Sequence, residues 1–147
     1  MPSLLIVPDE WLFYDLKGDN GEERQRETFL FLEKVKDKCD KLVILDRSPL
    51  IKKIYKLMKN SYPPVRELSK FFKNNFLLNS EKCKRLNEVE KLAEELKSKI
   101  PRKDHYLFQI LQSVPGSILI TTDEKLCNLS SSLNVSIRLR DEFLKEY

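Results

Sequence analysis

Glycine is nearly missing from this chain. Three glycines in 147 residues leave little material for a glycine-rich phosphate loop, and neither GxxxxGK(S/T) nor GxGxxG occurs. Histidine is rarer still, with His105 alone. Three cysteines, Cys39, Cys83 and Cys127, stand far apart and form no CxxC pair. That spacing argues against a structural zinc site and fits reduced thiols in a cytoplasmic protein. No apolar run approaches the roughly 18–20 residues a membrane helix needs, so no membrane partner is expected. The opening MPSLLIVPDEW has no basic leader and meets an acid pair after a short apolar run, which reads as a first strand rather than a signal peptide. A soluble, cytoplasmic chain is the expectation.

What is present is charge, and it is unevenly placed. Charged residues make up 34% of the chain and hydrophobic ones 41%, with a formal net charge of +4. Between Lys34 and Lys73, twelve Lys and Arg stand against four Asp and Glu. A basic segment of this kind is an electrostatic footprint for a polyanion, and equally a solvated face. The length suits one domain over 1–147 with a core that needs no disulfide.

Strand and helix signals alternate. Leu4–Val7, Lys41–Asp46, Ser117–Thr121 and Val135–Leu139 read as short buried strands. Helices are expected over 22–38, after Ser48-Pro49, over 65–73, 81–99, 103–114 and 123–132, and over 141–147, with a loop over 74–80. Ser48 suits an N-cap and Pro49 the first helical position. Behind them Ile51, Ile54, Tyr55 and Met58 form an apolar stripe, while Lys52, Lys53, Lys56 and Lys59 form a basic one. In the 81–99 helix, Leu86, Val89, Ala93 and Leu96 would face inward. Alternation of this sort predicts an α/β fold built on a parallel sheet with right-handed crossovers.

Three aspartates stand where strands end or helices begin: Asp9 in LLIVPDEW, Asp104 in RKDHYLFQIL and Asp123 in ILITTDEKL. In an open parallel sheet such positions converge at the carboxyl edge, where ligands bind. Carboxylates gathered there repel one another unless protons or a cation intervene, and a hard divalent ion with several waters is the natural resident. Each also has a plainer reading, since Asp is favoured at helix N-caps and in turns.

The run KDHYLFQILQSVPGSILITTDEKL, with LLIVPDEWLF before it and NVSIRLRDEFL after it, resembles the PIN-domain family. The resemblance implies a three-layer α/β/α sandwich around a mostly parallel sheet of about five strands, and a nuclease site that binds Mg²⁺ or Mn²⁺ and cleaves RNA. Asp9, Asp104 and Asp123 would be its catalytic and metal-holding acids. It also implies possible partners: RNA, a small antitoxin-type protein and a second copy of the chain. Thr121 or Thr122 would hydrogen-bond a phosphate, a metal water or a carboxylate. The helix starting near Asp123 would aim its N–H groups at the phosphate, and Lys52, Lys53 and Lys56 would contact RNA.

The family carries a further acid on the helix after the second strand, which here falls on Lys52 or Lys53. Glu10, Asp15 or Asp46 are the substitutes, with Asp46 the first choice because it follows strand two directly. Trp11, Phe13 and Tyr14 offer either base stacking or core packing. His105 reads as a polar helix-face residue. Two other functions stay open: a non-cleaving PIN-like module that binds RNA or protein, and a receiver-like domain using Asp9, Glu10 and Asp46.

Overall fold

The computed structural model describes residues 3–147. Five strands form one all-parallel sheet: β1 (Leu5–Pro8), β2 (Lys41–Leu45), β3 (Cys83–Leu86), β4 (Ser117–Thr121) and β5 (Ser136–Leu139), in the order β3-β2-β1-β4-β5. The expected α/β/α sandwich is therefore present. The 2-1-3-4-5 order of receiver-like sheets is not.

Alternation along each strand sends side chains to opposite faces. Ile6, Leu42, Ile44 and Ile120 enter one core, together with residues of α1 (Trp11–Lys17), α2 (Glu22–Asp37), α3 (Pro49–Leu57), α4 (Pro63–Phe72) and α8 (Arg140–Glu146). Val7, Val43, Leu119 and Ile137 enter the other, under α6 (His105–Ser113) and Leu126 of α7 (Glu124–Cys127). A short α5 (Glu94–Lys97) lies on that second side, with Leu96 packed against the core.

The helix starts follow local chemistry. Ser48 Oγ accepts from the Ile51 amide at 3.3 Å, and Pro49 opens α3 as expected. Its buried stripe is Leu50, Ile51, Ile54 and Leu57, one residue round from the expected one, and Tyr55 stays 43% exposed. Pro63 and Pro64 open α4, because proline in the first turn loses no hydrogen bond. A π-helical stretch, Lys73–Leu77, extends α4 through most of the expected loop.

Two elements differ more deeply from expectation. The helix expected over 81–99 is instead β3, an irregular stretch and the one-turn α5. Strand β3 pairs with β2 from Leu42–Cys83 to Leu45–Leu86, and its exposed Lys84 and Arg85 suit an edge strand. The segment after β1 holds an unexpected helix, α1, ended by Gly18 at φ 91°, a left-handed C-cap that glycine accepts without strain. That helix matters here because it brings Glu10 and Tyr14 to the carboxyl edge of the sheet.

Candidate functional site

Chain order reverses direction between β1 and β4, which lie side by side in register from Leu5–Ser117 to Pro8–Ile120. Beyond their carboxyl ends the next segments part, and the crevice left there is where parallel sheets bind ligands. A cavity of about 580 Å³ opens at this point, lined by Asp9, Glu10, Trp11, Tyr14, Asn20, Arg24, Lys103, Asp104, Thr122 and Asp123. All three expected aspartates border it.

The cavity floor is tied down by the chain itself. The Asp9 amide and the Trp11 indole Nε1 both donate to the Ile120 carbonyl, at 3.2 and 2.8 Å, which fastens the β1–α1 turn onto β4. Thr121 Oγ1 donates to Asp9 Oδ2 at 2.7 Å and accepts from the Asp123 amide at 3.1 Å. The Glu10 amide donates to Asp9 Oδ1. Asp9 is thus aimed by two donors, with a lone pair left on each oxygen.

Asp123 caps α7: its Oδ1 accepts from the Lys125 and Leu126 amides at 2.9 and 3.4 Å. The plain N-cap reading is correct for that oxygen, and those amides are not aimed at a phosphate. Asp104 stands at the start of α6 but caps nothing. It is only 7% exposed, and its Oδ2 is buried without a hydrogen-bond partner. Among the described side chains one other buried polar atom shares that condition, the hydroxyl of Tyr106, two residues away.

Electrostatics link the acids. Burial, and then the charge of Asp9, push the Asp104 carboxyl up to about 6, with Lys103 opposing and Asp123 and Glu10 adding. Burial also raises Asp9, offset by its bonds from Thr121 and Glu10 and reinforced by the charges of Glu10 and Asp123. The Tyr106 phenol is raised by burial and by Asp9, Glu10 and Asp104. Cations stand nearby as well. Lys53 Nζ lies 3.2 Å from Glu10 Oε2 and 3.1 Å from the Tyr14 hydroxyl. Arg24 and Lys103 line the cavity wall.

Several expected site residues lie elsewhere. Asp46 does not line the cavity. It follows β2, on the side of β1 away from β4, and Arg85 of β3 grips it at 2.6 Å. Asp46 is therefore neither a stand-in ligand nor part of a receiver-type acid cluster with Asp9 and Glu10. Thr121 is wholly buried and its hydroxyl is spent on Asp9 and Asp123, so of its expected roles the carboxylate bond is the one realised. Thr122 is exposed on the cavity wall. Lys52 and Lys56 are exposed on α3 and outside the cavity lining. Trp11 and Phe13 are core residues, while Tyr14 is 37% exposed at the cavity. His105 Nε2 meets the Ile100 and Lys97 carbonyls at 2.8 and 3.2 Å, which accounts for its place on the helix face.

Sequence reading missed Lys103 and Arg24 on the cavity wall. No local signal marks them, since their place at the cavity depends on the packing of α2 and of the turn before α6.

A buried carboxylate oxygen without a donor is costly and calls for a cation or a proton. An all-oxygen set of Asp9, Asp104 and Asp123 suits a hard ion such as Mg²⁺ or Mn²⁺. Among the described residues no three His, Cys, Asp or Glu side chains are gathered tightly enough to ligate one ion together. The fit is to an ion that keeps several waters and takes few carboxylates directly, which is how Mg²⁺ is commonly held. A cavity of similar size, about 540 Å³, between α2 and α8 is different in kind, because its buried Arg140 is already paired. No family model matches the chain, and no curated protein matches it.

Proposed function

We propose that the protein is a divalent-metal-dependent endoribonuclease of PIN-like type, with its site at the β1–β4 edge. The single observation that carries this reading is the buried, partnerless Oδ2 of Asp104 in a cavity shared with Asp9 and Asp123. Those three would hold Mg²⁺ or Mn²⁺, which when bound lowers the pKa of water and offsets phosphate charge. The chain's own groups supply the rest. Thr121 and the Glu10 amide fix the direction of Asp9. Lys103 gives the cavity wall positive charge for a phosphodiester, beside an Arg24 that is paired with Asp141, and Tyr14 offers a part-exposed aromatic ring for a base.

The test is cleavage of labelled RNA by purified protein. Cutting should require Mg²⁺ or Mn²⁺ and stop with chelator. Asp104→Asn and Asp123→Asn should each lose activity by about a hundredfold or more while keeping the native circular dichroism spectrum. RNA left intact with either metal would sink the proposal.

A second reading, RNA or protein binding without cleavage, is favoured by two observations. A lysine, Lys53, occupies the acid beside Asp9, and no tight acidic triad exists among the described residues. RNA bound but uncut, with binding that weakens steeply with salt, would select it. An antitoxin-type partner and a homodimer remain proposals of the same resemblance. Light scattering of the purified chain tests the second of them.

A further inference from the structure

Glu10 lines the same cavity as the three aspartates, yet its charge is already answered. Lys53 Nζ holds Glu10 Oε2 at 3.2 Å and the Tyr14 hydroxyl at 3.1 Å, and it lies 5.0 Å from the Tyr14 ring centre and 5.7 Å from that of Phe13. The helix that carries the lysine is anchored as well. The Ser48 cap and Pro49 set the start of α3, and Ile51 and Ile54 on either side of it are buried. The ammonium is held at its head by the Glu10 carboxylate, the Tyr14 hydroxyl and two aromatic rings.

The four acids therefore divide into two kinds. Asp9, Asp104 and Asp123 make no salt bridge among the described side chains, and one of them keeps an oxygen buried and unpartnered. Glu10 makes one. Sites that use two metal ions hold them about 3.5–4 Å apart between carboxylates on both sides. A second divalent ion at Glu10 would have to displace the lysine and would meet its positive charge at short range.

Resting on the metal-dependent reading above, we propose that Lys53 takes the place of a second metal ion: the cavity loads one divalent cation among Asp9, Asp104 and Asp123, held by few of them directly and by the rest through its waters, and the ammonium on Glu10 is its permanent second positive charge. Glu10 is then a positioning residue for Lys53 and not a metal ligand.

Counting bound Mn²⁺ by the loss of its free-ion paramagnetic resonance signal tests this without reference to activity. The native chain should bind one ion. Lys53→Glu, which removes the charge and sets a new carboxylate beside Glu10, should bind two. Adding Glu10→Gln to that variant should return the count to one, whereas Glu10→Gln alone should keep one ion with affinity changed no more than a few-fold. If Lys53→Glu fails to fold, Lys53→Met releases Glu10 without adding an acid and should show a second, weaker ion. Two ions in the native chain, or one in every folded Lys53 variant, overturns the inference and leaves the metal site standing. No ion in any form overturns the metal reading itself.

Discussion

Asp15 and Asp104 are both buried acids, and the fold treats them in opposite ways. Asp15 is fully enclosed and fully answered. Its Oδ1 accepts from Asn20 at 2.7 Å, and its Oδ2 accepts from Thr28 at 2.7 Å and from Arg140 Nε at 2.8 Å. Arg140, itself 1% exposed, goes on to Asp141, Glu27, Thr28 and the Arg24 carbonyl. That network joins α1, α2 and α8 and leaves nothing for a ligand. Asp104 has neither a basic partner in hydrogen-bond reach nor a donor for its buried oxygen. One acid is finished by the fold, and the other keeps an oxygen without a partner. Buried charges are tolerated when paired and costly when not.

The largest effect should come from breaking the finished network. Arg140→Met leaves Asp15 buried with its strongest donor gone, and should cost about 3–5 kcal/mol of folding free energy. Urea unfolding measures it. A loss under about 1 kcal/mol would mean that the network is not what holds α8 to α1 and α2.

The unfinished acid should respond with the opposite sign. In the absence of divalent metal at pH 7, Asp104→Asn should stabilise the chain by about 1–3 kcal/mol, because it removes a charge whose burial is uncompensated. The pH dependence follows from the same shift. The Asp104 carboxyl titrates at about 6 when folded against an ordinary value of 3.8, so the folded state binds the proton more tightly. Its contribution to stability is fully present below about pH 4 and is lost as pH rises through about 6. The stability gap between Asp104→Asn and the native chain should therefore widen from pH 4 to pH 6 and level off by pH 7. Added Mn²⁺ should close it. A gap that is flat across this range would show that Asp104 titrates normally and is not an unfinished site.

The contrast between the two acids was half visible in the sequence. Asp9, Asp104 and Asp123 could be picked out because local signals place them: each follows a short apolar run or precedes an amphipathic one, and parallel topology sends such ends to one edge. Asp15 gave no such signal, since its partners Thr28 and Arg140 lie 13 and 125 residues away and only packing joins them. The same limit explains β3. Its CKRL sequence has charges on the exposed positions of an edge strand, and Leu86, Val89, Ala93 and Leu96 happen to fall near helical spacing. Ala93 is in fact exposed, and Leu92 is the buried residue of that stretch. Pairing with β2 overrode the local pattern. Asp46 was misplaced for a related reason: the end of a strand is readable in the sequence, but its neighbour in the sheet is not.

The smallest effect separates aiming from mere packing at the site itself. Thr121→Val keeps the volume and the β-branch of a wholly buried residue and removes only the hydroxyl. Asp9 Oδ2 loses a donor and the Asp123 amide loses its acceptor, which should cost about 1 kcal/mol. The more telling consequence is chemical. The bond from Thr121 is what most holds down the raised pKa of Asp9, so its loss pushes that carboxyl further up. Metal ligands must be deprotonated, so Mn²⁺ affinity in Thr121→Val should fall more at pH 6 than at pH 8. Thr121→Ser keeps the hydroxyl and should retain native affinity at both. If Val and Ser behave alike, the hydroxyl packs the turn but does not hold Asp9 ready for a cation.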